Sequence, residues 1–139
     1  MRYFYGLPLT FSPAAFETIS SFLEDTGQTP EDFDLIVTGD LGNVGHSIVS
    51  RLFIAAGTPL GDRYDDCGRM VFDVSQDTHA GASGCGCSAA VLTSALLYRM
   101  NAGKYRRILF AGTGALLSAT SLLQGESIPG VCHAVQIEI

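Results

Sequence analysis

Two thiols one residue apart, Cys85 and Cys87, close a stretch built almost wholly of small residues: His79-Ala80-Gly81-Ala82-Ser83-Gly84-Cys85-Gly86-Cys87-Ser88-Ala89-Ala90. Thiols near an imidazole are the material of nucleophilic catalysis or of zinc binding. One-residue spacing is poor for a tetrahedral zinc site, even with Cys67 and His79 added, so no metal site is expected and the cysteines read as small buried hydrophobes. His79 has two readings, a hydrogen bond to a carboxylate ligand and a structural hydrogen bond. Asp65 and Asp66 are adjacent acids, a weak calcium signal for which a solvated loop is the default. No cofactor is expected.

The small residues let the backbone pass close to a neighbouring element or a ligand. An apolar helical run follows at once, with Ala89, Leu92, Leu96, Leu97 and Met100 in its stripe, and Ser83 or Ser88 placed to cap it. The stretch is therefore expected to be an ordered loop entering a buried helix, with His79, Ser83 and Cys85 as pocket candidates.

Other elements must position that loop. Ser12 as N-cap and Pro13 at the first helical position predict a helix whose stripe is Phe16, Ile19, Phe22 and Leu23, ending at Gly27. Thr29 to Asp32 reads as a polar turn or a short capped helical turn. The unbroken run Leu35-Ile36-Val37-Thr38 predicts a strand covered on both faces, as in a parallel sheet. Ligands collect in the turn after such a strand. That makes Gly39, Asp40, Asn43 and His46 candidates by position, against the plainer reading of a glycine-rich connection into a second helix with Ile48, Val49, Leu52 and Phe53 as its stripe. Met70, Phe72 and Val74 alternate, which predicts a short strand in an otherwise irregular acidic segment. Lys104, Arg106 and Arg107 are expected to solvate a helix end. Arg107 to Thr113 reads as a buried strand broken by Gly112-Thr113-Gly114-Ala115, which adds Gly112 and Gly114 to the candidates. A serine-rich loop over Leu116 to Gly130 leads to an edge or final strand over Ala134 to Ile139, an antiparallel neighbour of the previous one. His133 is expected to be structural. The layout is α/β, with few strands for a domain standing alone.

The chain of 139 residues fits one domain. Only 16% of residues are charged while 47% are hydrophobic, against about a quarter charged in ordinary soluble domains. Part of the surface is thus expected to be covered by another subunit, domain or partner. A net charge of −6 argues against a nucleic-acid partner. No apolar run is long enough to span a bilayer and no signal-peptide pattern opens the chain. Four cysteines without a secreted disulfide spacing are expected to be reduced and cytosolic.

Four phrases carry a resemblance: Asp34-Leu35-Ile36-Val37-Thr38-Gly39-Asp40-Leu41-Gly42, Tyr64-Asp65-Asp66-Cys67-Gly68, Gln76-Asp77-Thr78 running on through the small-residue stretch to Ala89, and Gly125-Glu126-Ser127-Ile128-Pro129-Gly130. Together, from about Ser12 to Ile139, the chain resembles the stage V sporulation protein AD family. The Cys-Gly-Cys-Ser and Gly-Glu-Ser-Ile-Pro-Gly phrases are its most specific points. Leu7 to Pro13 departs from it, lacking the Met- and Ala-rich run expected before the first helix.

The resemblance implies a thiolase-like superfamily fold, in which each subunit has two similar halves. Residues 1–139 then correspond to the second half-domain alone, α/β with a mixed sheet and covering helices, the N-terminal half being absent. It further implies a non-catalytic soluble subunit of the endospore machinery that takes up dipicolinic acid as its calcium chelate, binding dipicolinate. Other proteins of the same sporulation operon are the implied partners, with a homodimer expected. The implied location is the cytoplasm, or the periphery of the spore inner membrane through those partners.

The alternative is a thiolase-type acyltransferase or condensing enzyme. Such enzymes take a cysteine from the first half, and a histidine with an asparagine or second histidine from the second. Gly39 and Asp40 hold the histidine's place here, Cys85 falls near the asparagine's, and His46 is an imperfect substitute. The small-residue stretch is accordingly expected to form the floor of a pocket. The ligand-pocket candidates are Gly39, Asp40, Asn43, His46, His79, Ser83, Cys85, Gly112 and Gly114, with no catalytic residue and no metal ligand among them.

Overall fold

The computed structural model describes residues 7–115, 118–126 and 129–139. Tyr3, Phe4 and Tyr5, together with Leu116 and the Ser127-Ile128 pair of the Gly-Glu-Ser-Ile-Pro-Gly phrase, lie outside the described residues. In order come helix α1 (Leu7–Thr26), strand β1 (Leu35–Thr38), α2 (Gly42–Ala55), β2 (Tyr64–Asp66) and α3 (Cys67–Met70). Then follow α4 (Cys87–Val91), a π-helical turn over Leu92–Leu96, α5 (Leu97–Asn101), β3 (Arg107–Ala115), α6 (Ala119–Leu123) and β4 (Gly130–Glu138).

The four strands form one mixed sheet in the order β2-β1-β3-β4. β1 pairs in parallel with β2 and with β3, while β3 and β4 are antiparallel in one-to-one register from Arg107↔Glu138 to Ala115↔Gly130. Every residue of β1 is buried, as its unbroken apolar run requires of a strand covered on both sides. Ile36 points into a core of Ala15, Ile19, Leu23, Val49 and Phe53 supplied by α1 and α2. Leu35 and Val37 point the other way, into Val91, Leu96 and Met100 of the helical run after the small-residue loop. On the first side Phe16 meets Phe53 edge-on, ring centroids 4.8 Å apart.

The first helix begins at Leu7, so Ser12 is an interior residue and not its cap. Tertiary packing overrides the local signal. Ser12 is fully buried and its hydroxyl donates to the Gly45 carbonyl at 3.4 Å, where α1 crosses α2. The predicted turn at Thr29 is a 3-10 helix over Pro30–Asp32 closed by a capping box. The Asp32 carboxylate accepts from both the Thr29 N–H (2.7 Å) and its hydroxyl (3.1 Å). Those two bonds, backbone first, hold the Asp32 carboxyl below the usual range.

The second strand in sequence is Tyr64–Asp66, and the alternating Met70, Phe72 and Val74 form no strand. Three alternating positions are too weak a pattern to outweigh helix α3, whose N-terminus Asp66 caps by accepting from Gly68 N–H. β3 also runs on through Gly112-Thr113-Gly114-Ala115 without a break, because β4 pairs along its whole length. Arg107 begins β3 and pairs with Glu138 at 2.9 Å rather than solvating a helix end. The helical run over 87–101 is buried on one side only, at Val91, Leu96 and Met100. Where its π turn begins, the Thr93 and Ser94 hydroxyls donate back to the carbonyls of Ala89 (2.8 Å) and Ala90 (2.6 Å), as such side chains do within helices. β4 alternates between half-buried and exposed residues, with Val131 and Val135 open to solvent. Among the described residues no helix is long and apolar enough to cross a membrane.

Candidate functional site

Three loops meet at the carboxyl ends of the parallel strands: Gly39 to Asn43 after β1, Asp66 to Arg69 after β2, and Thr78 to Gly84 ahead of α4. Carboxylates hold them together. Asp66, read from sequence as part of a solvated acidic loop, is fully buried. Its Oδ1 accepts the N–H groups of Gly42 (2.8 Å) and Gly68 (2.9 Å), and its Oδ2 accepts the Leu41 N–H (3.0 Å) and the Thr38 hydroxyl (2.6 Å). Thr38 also bonds the Tyr64 hydroxyl at 2.9 Å. Burial raises the Asp66 carboxyl above its ordinary value, against the pull of Thr38 and the three backbone donors. Burial raises the Tyr64 phenol as well.

Asp40 ties the outer layer. Its Oδ2 accepts the Ser83 hydroxyl (3.1 Å) and the Gly84 N–H (2.9 Å), while its Oδ1 accepts the Thr113 hydroxyl (3.0 Å). Thr113 Oγ1 in turn accepts the Asp40 N–H at 3.1 Å. Asp40 thus joins β3, the turn after β1 and the small-residue loop. Asn43 completes the clamp: its N–H donates to the Ala80 carbonyl (2.7 Å), its side-chain amide donates to the His79 carbonyl (2.8 Å), and its Oδ1 accepts from Arg69 Nε (3.1 Å). Ala82 N–H donates to the Gly68 carbonyl at 2.7 Å.

Gly42 and Gly39 are among the glycines that this closeness requires. Gly42 opens α2 at φ +66°, and a Cβ there would run into the Ala80 carbonyl. Gly39 has ordinary φ, yet a Cβ on it would lie 2.6 Å from Thr113 Oγ1 and 2.7 Å from Thr113 N. No larger residue fits unless β3 moves.

The structure therefore brings Gly39, Asp40, Asn43, His79 and Ser83 together. It leaves the others apart. The His46 ring stacks on Tyr64 with centroids 4.5 Å apart and planes 1° apart, its Nε2 3.3 Å from the Tyr64 carbonyl oxygen. Burial lowers its basicity, and it faces β2 away from the loop. Cys85 is exposed, which corrects its reading as a buried hydrophobe, and it lies beyond Gly84, the last residue that Asp40 pins. Gly112 and Gly114 sit in β3 beside His133 and Val131 of β4. His133 is an exposed residue inside β4. The residues that sequence reading missed are Asp66, Thr113 and Arg69. Thr113 was hidden by the glycines on either side of it, and Asp66 by its exposed-looking acidic neighbours.

A polar cavity of about 310 Å³ opens beside the clamp, lined by Asn43, Asp65, Arg69, Phe72, Asp73, Asp77, Thr78, His79 and Gly81. Its cation is Arg69, whose Nη1 lies 3.2 Å from Asp65 Oδ1. Asp77 and His79 hold left-handed backbone at φ 45° and 51°, a conformation that Asp and His tolerate better than most residues. Their side chains stand in solvent 3.7 Å apart. A larger hollow of about 510 Å³ between the far ends of α1 and α2 is lined mainly by apolar groups. It lies at the opposite end of β1 and holds none of the candidates. All four cysteines are free. Burial, with Asp66 and Cys87 nearby, pushes the Cys67 thiol up to about 12. Burial and the Asp40 and Asp66 charges also push Cys87 upward, so neither is poised as a thiolate nucleophile.

A family model described as Stage V sporulation protein AD (SpoVAD) matches residues 6–138. The chain is 42% identical over 134 residues to the Stage V sporulation protein AD of Bacillus subtilis (strain 168). That match covers 96% of this chain and 40% of the relative, so the chain spans less than half the length of the curated protein it matches.

Proposed function

Because the chain belongs to the stage V sporulation protein AD family, we propose that it works in endospore formation as the second, thiolase-like half-domain of a non-catalytic subunit that binds dipicolinic acid, as its calcium chelate, for uptake into the spore. The observation that carries the non-catalytic reading is the approach of Gly39 to Thr113. At the position where the resemblance expects a catalytic histidine, even a methyl group has no room. Binding is supported by the cavity beside Asn43 and His79. There Arg69 offers a planar donor fork to a carboxylate, and Asp73 and Asp77 present oxygen to the calcium that the chelate carries. The exposed Val131 and Val135 fit a face that another subunit covers, as a homodimer or a complex with other proteins of the sporulation operon would. Such partners would put the work at the periphery of the spore inner membrane.

Calorimetric titration of a full-length protein carrying this half-domain with calcium dipicolinate, beside its Arg69→Ala variant, tests the reading; the 139-residue chain by itself is expected to bind weakly or not at all. Saturable binding that the variant weakens at least tenfold is expected. No binding at millimolar ligand, or thioester turnover that Cys85→Ser abolishes, overturns it.

A further inference from the structure

β4 is an edge of the sheet, and its open side can be assigned group by group. In an antiparallel ladder alternate residues direct their N–H and C=O to the partner strand. The bond from Ile139 N–H to the Arg106 carbonyl, 3.0 Å, with the unbroken register, turns Val131, His133, Val135 and Ile137 toward β3. Cys132, Ala134, Gln136 and Glu138 therefore face outward. The Thr18 hydroxyl of α1 donates to the Cys132 carbonyl at 3.3 Å, in agreement. The outward backbone groups of Ala134, Gln136 and Glu138 have no partner among the described residues. No proline, lysine or bulge protects this edge, though folds that leave an edge unused commonly carry one.

Above the edge, Glu17, Thr18, Ser21, Phe22 and Asp25 of α1 enclose, with Ala134, a groove of about 450 Å³. Glu17 and Asp25 are exposed, and neither is in a salt bridge among the described residues. We propose that the β4 edge takes an extended basic segment of a partner protein as an added strand, its cationic side chains lying along Phe22 to reach Glu17 and Asp25. Charge selects this occupant. A second copy of the chain, itself at −6, would bring its own Glu17, Asp25 and Glu138 to the contact and be repelled. Spacing refines it. The eight positions from Glu17 to Asp25 rise about 12 Å along a helix, the length of about four strand residues. Cations at i and i+4 of the added strand share one face and meet both acids. Main-chain pairing supplies affinity and the two acids supply selectivity.

The probe is a labelled Lys-Val-Thr-Val-Lys-Val-Thr peptide, with Glu in place of both Lys as its control. Anisotropy should report binding of the basic peptide alone. Glu17→Gln with Asp25→Asn, both solvent-exposed changes, should weaken it about tenfold at low salt. Amide exchange should slow at Ala134, Gln136 and Glu138 on peptide addition, leaving Val135 and Ile137 unchanged. Equal binding of the acidic peptide, or saturation without that alternating protection, overturns the proposal. Protection that grows with protein concentration and needs no peptide assigns the edge to a second copy and overturns it too. Protection already present in a longer family member assigns the edge to that protein's own remainder, and the proposal falls in that case as well.

Discussion

Asp66 holds Gly42 by its backbone N–H at 2.8 Å across 24 positions of sequence, and with the same carboxylate gathers Thr38, Leu41 and Gly68. One side chain thus sets where α2 begins relative to β2. Asp66→Asn keeps the shape but turns an N–H donor toward groups that are themselves donors. The expected loss is about 2–3 kcal/mol, read as a lower urea midpoint at unchanged slope. A loss under about 0.5 kcal/mol would show that the carboxylate is dispensable.

Gly39 is expected to reject even one methyl group. Gly39→Ala places a Cβ 2.6 Å from Thr113 Oγ1 and 2.7 Å from its backbone nitrogen, and the backbone cannot rotate away. The cost should be about 1–3 kcal/mol. Thr113→Ser, which keeps the hydroxyl for Asp40, serves as the mild control. If Gly39→Ala unfolds no more easily than wild type, the contact with β3 is looser than those distances require.

Thiol reactivity should fall into separate classes. Cys85 is exposed and should react with a disulfide reagent within the dead time of mixing. Cys67, buried and pushed up to about 12, should react only after global unfolding, and the half-buried Cys132, pushed up to about 11, should react slowly between the two. Mass mapping after a timed quench reads the order. Early labelling of Cys67 would contradict its burial.

Acid stability has an identifiable contributor in Asp34. Its carboxylate accepts the N–H groups of Arg106 (2.7 Å) and Arg107 (3.0 Å), and these bonds, Arg107's foremost, hold its carboxyl below its ordinary value of 3.8. The folded state therefore binds this proton more weakly than the unfolded chain. The stabilisation is present above about pH 3.8 and is lost as pH falls through the lowered folded value. Asp34→Asn should make the fall of the urea midpoint below about pH 4 shallower. Superimposable acid limbs for the two proteins would count against it.

Much of the scaffold was legible because its signals are local or strongly periodic. Leu35 to Thr38 reads as doubly covered, and the stripe Phe16, Ile19, Phe22, Leu23 lies against the core as spaced. The site was legible in part. Asp40 and Ser83 stand out in the sequence for separate reasons, one as the residue after a strand and the other as part of the small-residue loop. Their bond across 43 positions has no local trace. Asp66 looks in sequence like its solvated neighbour Asp65, and only the parallel pairing of β1 with β2 turns it inward. Ser12 failed as a cap for the same kind of reason: α2 supplies a partner that no reading of its neighbours contains.

The Asp40 clamp also carries a kinetic consequence. Its bonds to Ser83, Gly84 and Thr113 close chain separations of 43, 44 and 73 positions, and each closure costs entropy before it returns any contact. Thr113 meets Asp40 where β3 lies paired beside β1, and contacts of such separation are expected to form on the native side of the folding barrier. Asp40→Asn should then accelerate unfolding while leaving the refolding limb of the chevron in place. That outcome would make the end of the sheet that holds the site the last part to assemble and the first to open, whereas a slowed refolding limb would put the clamp in the folding nucleus.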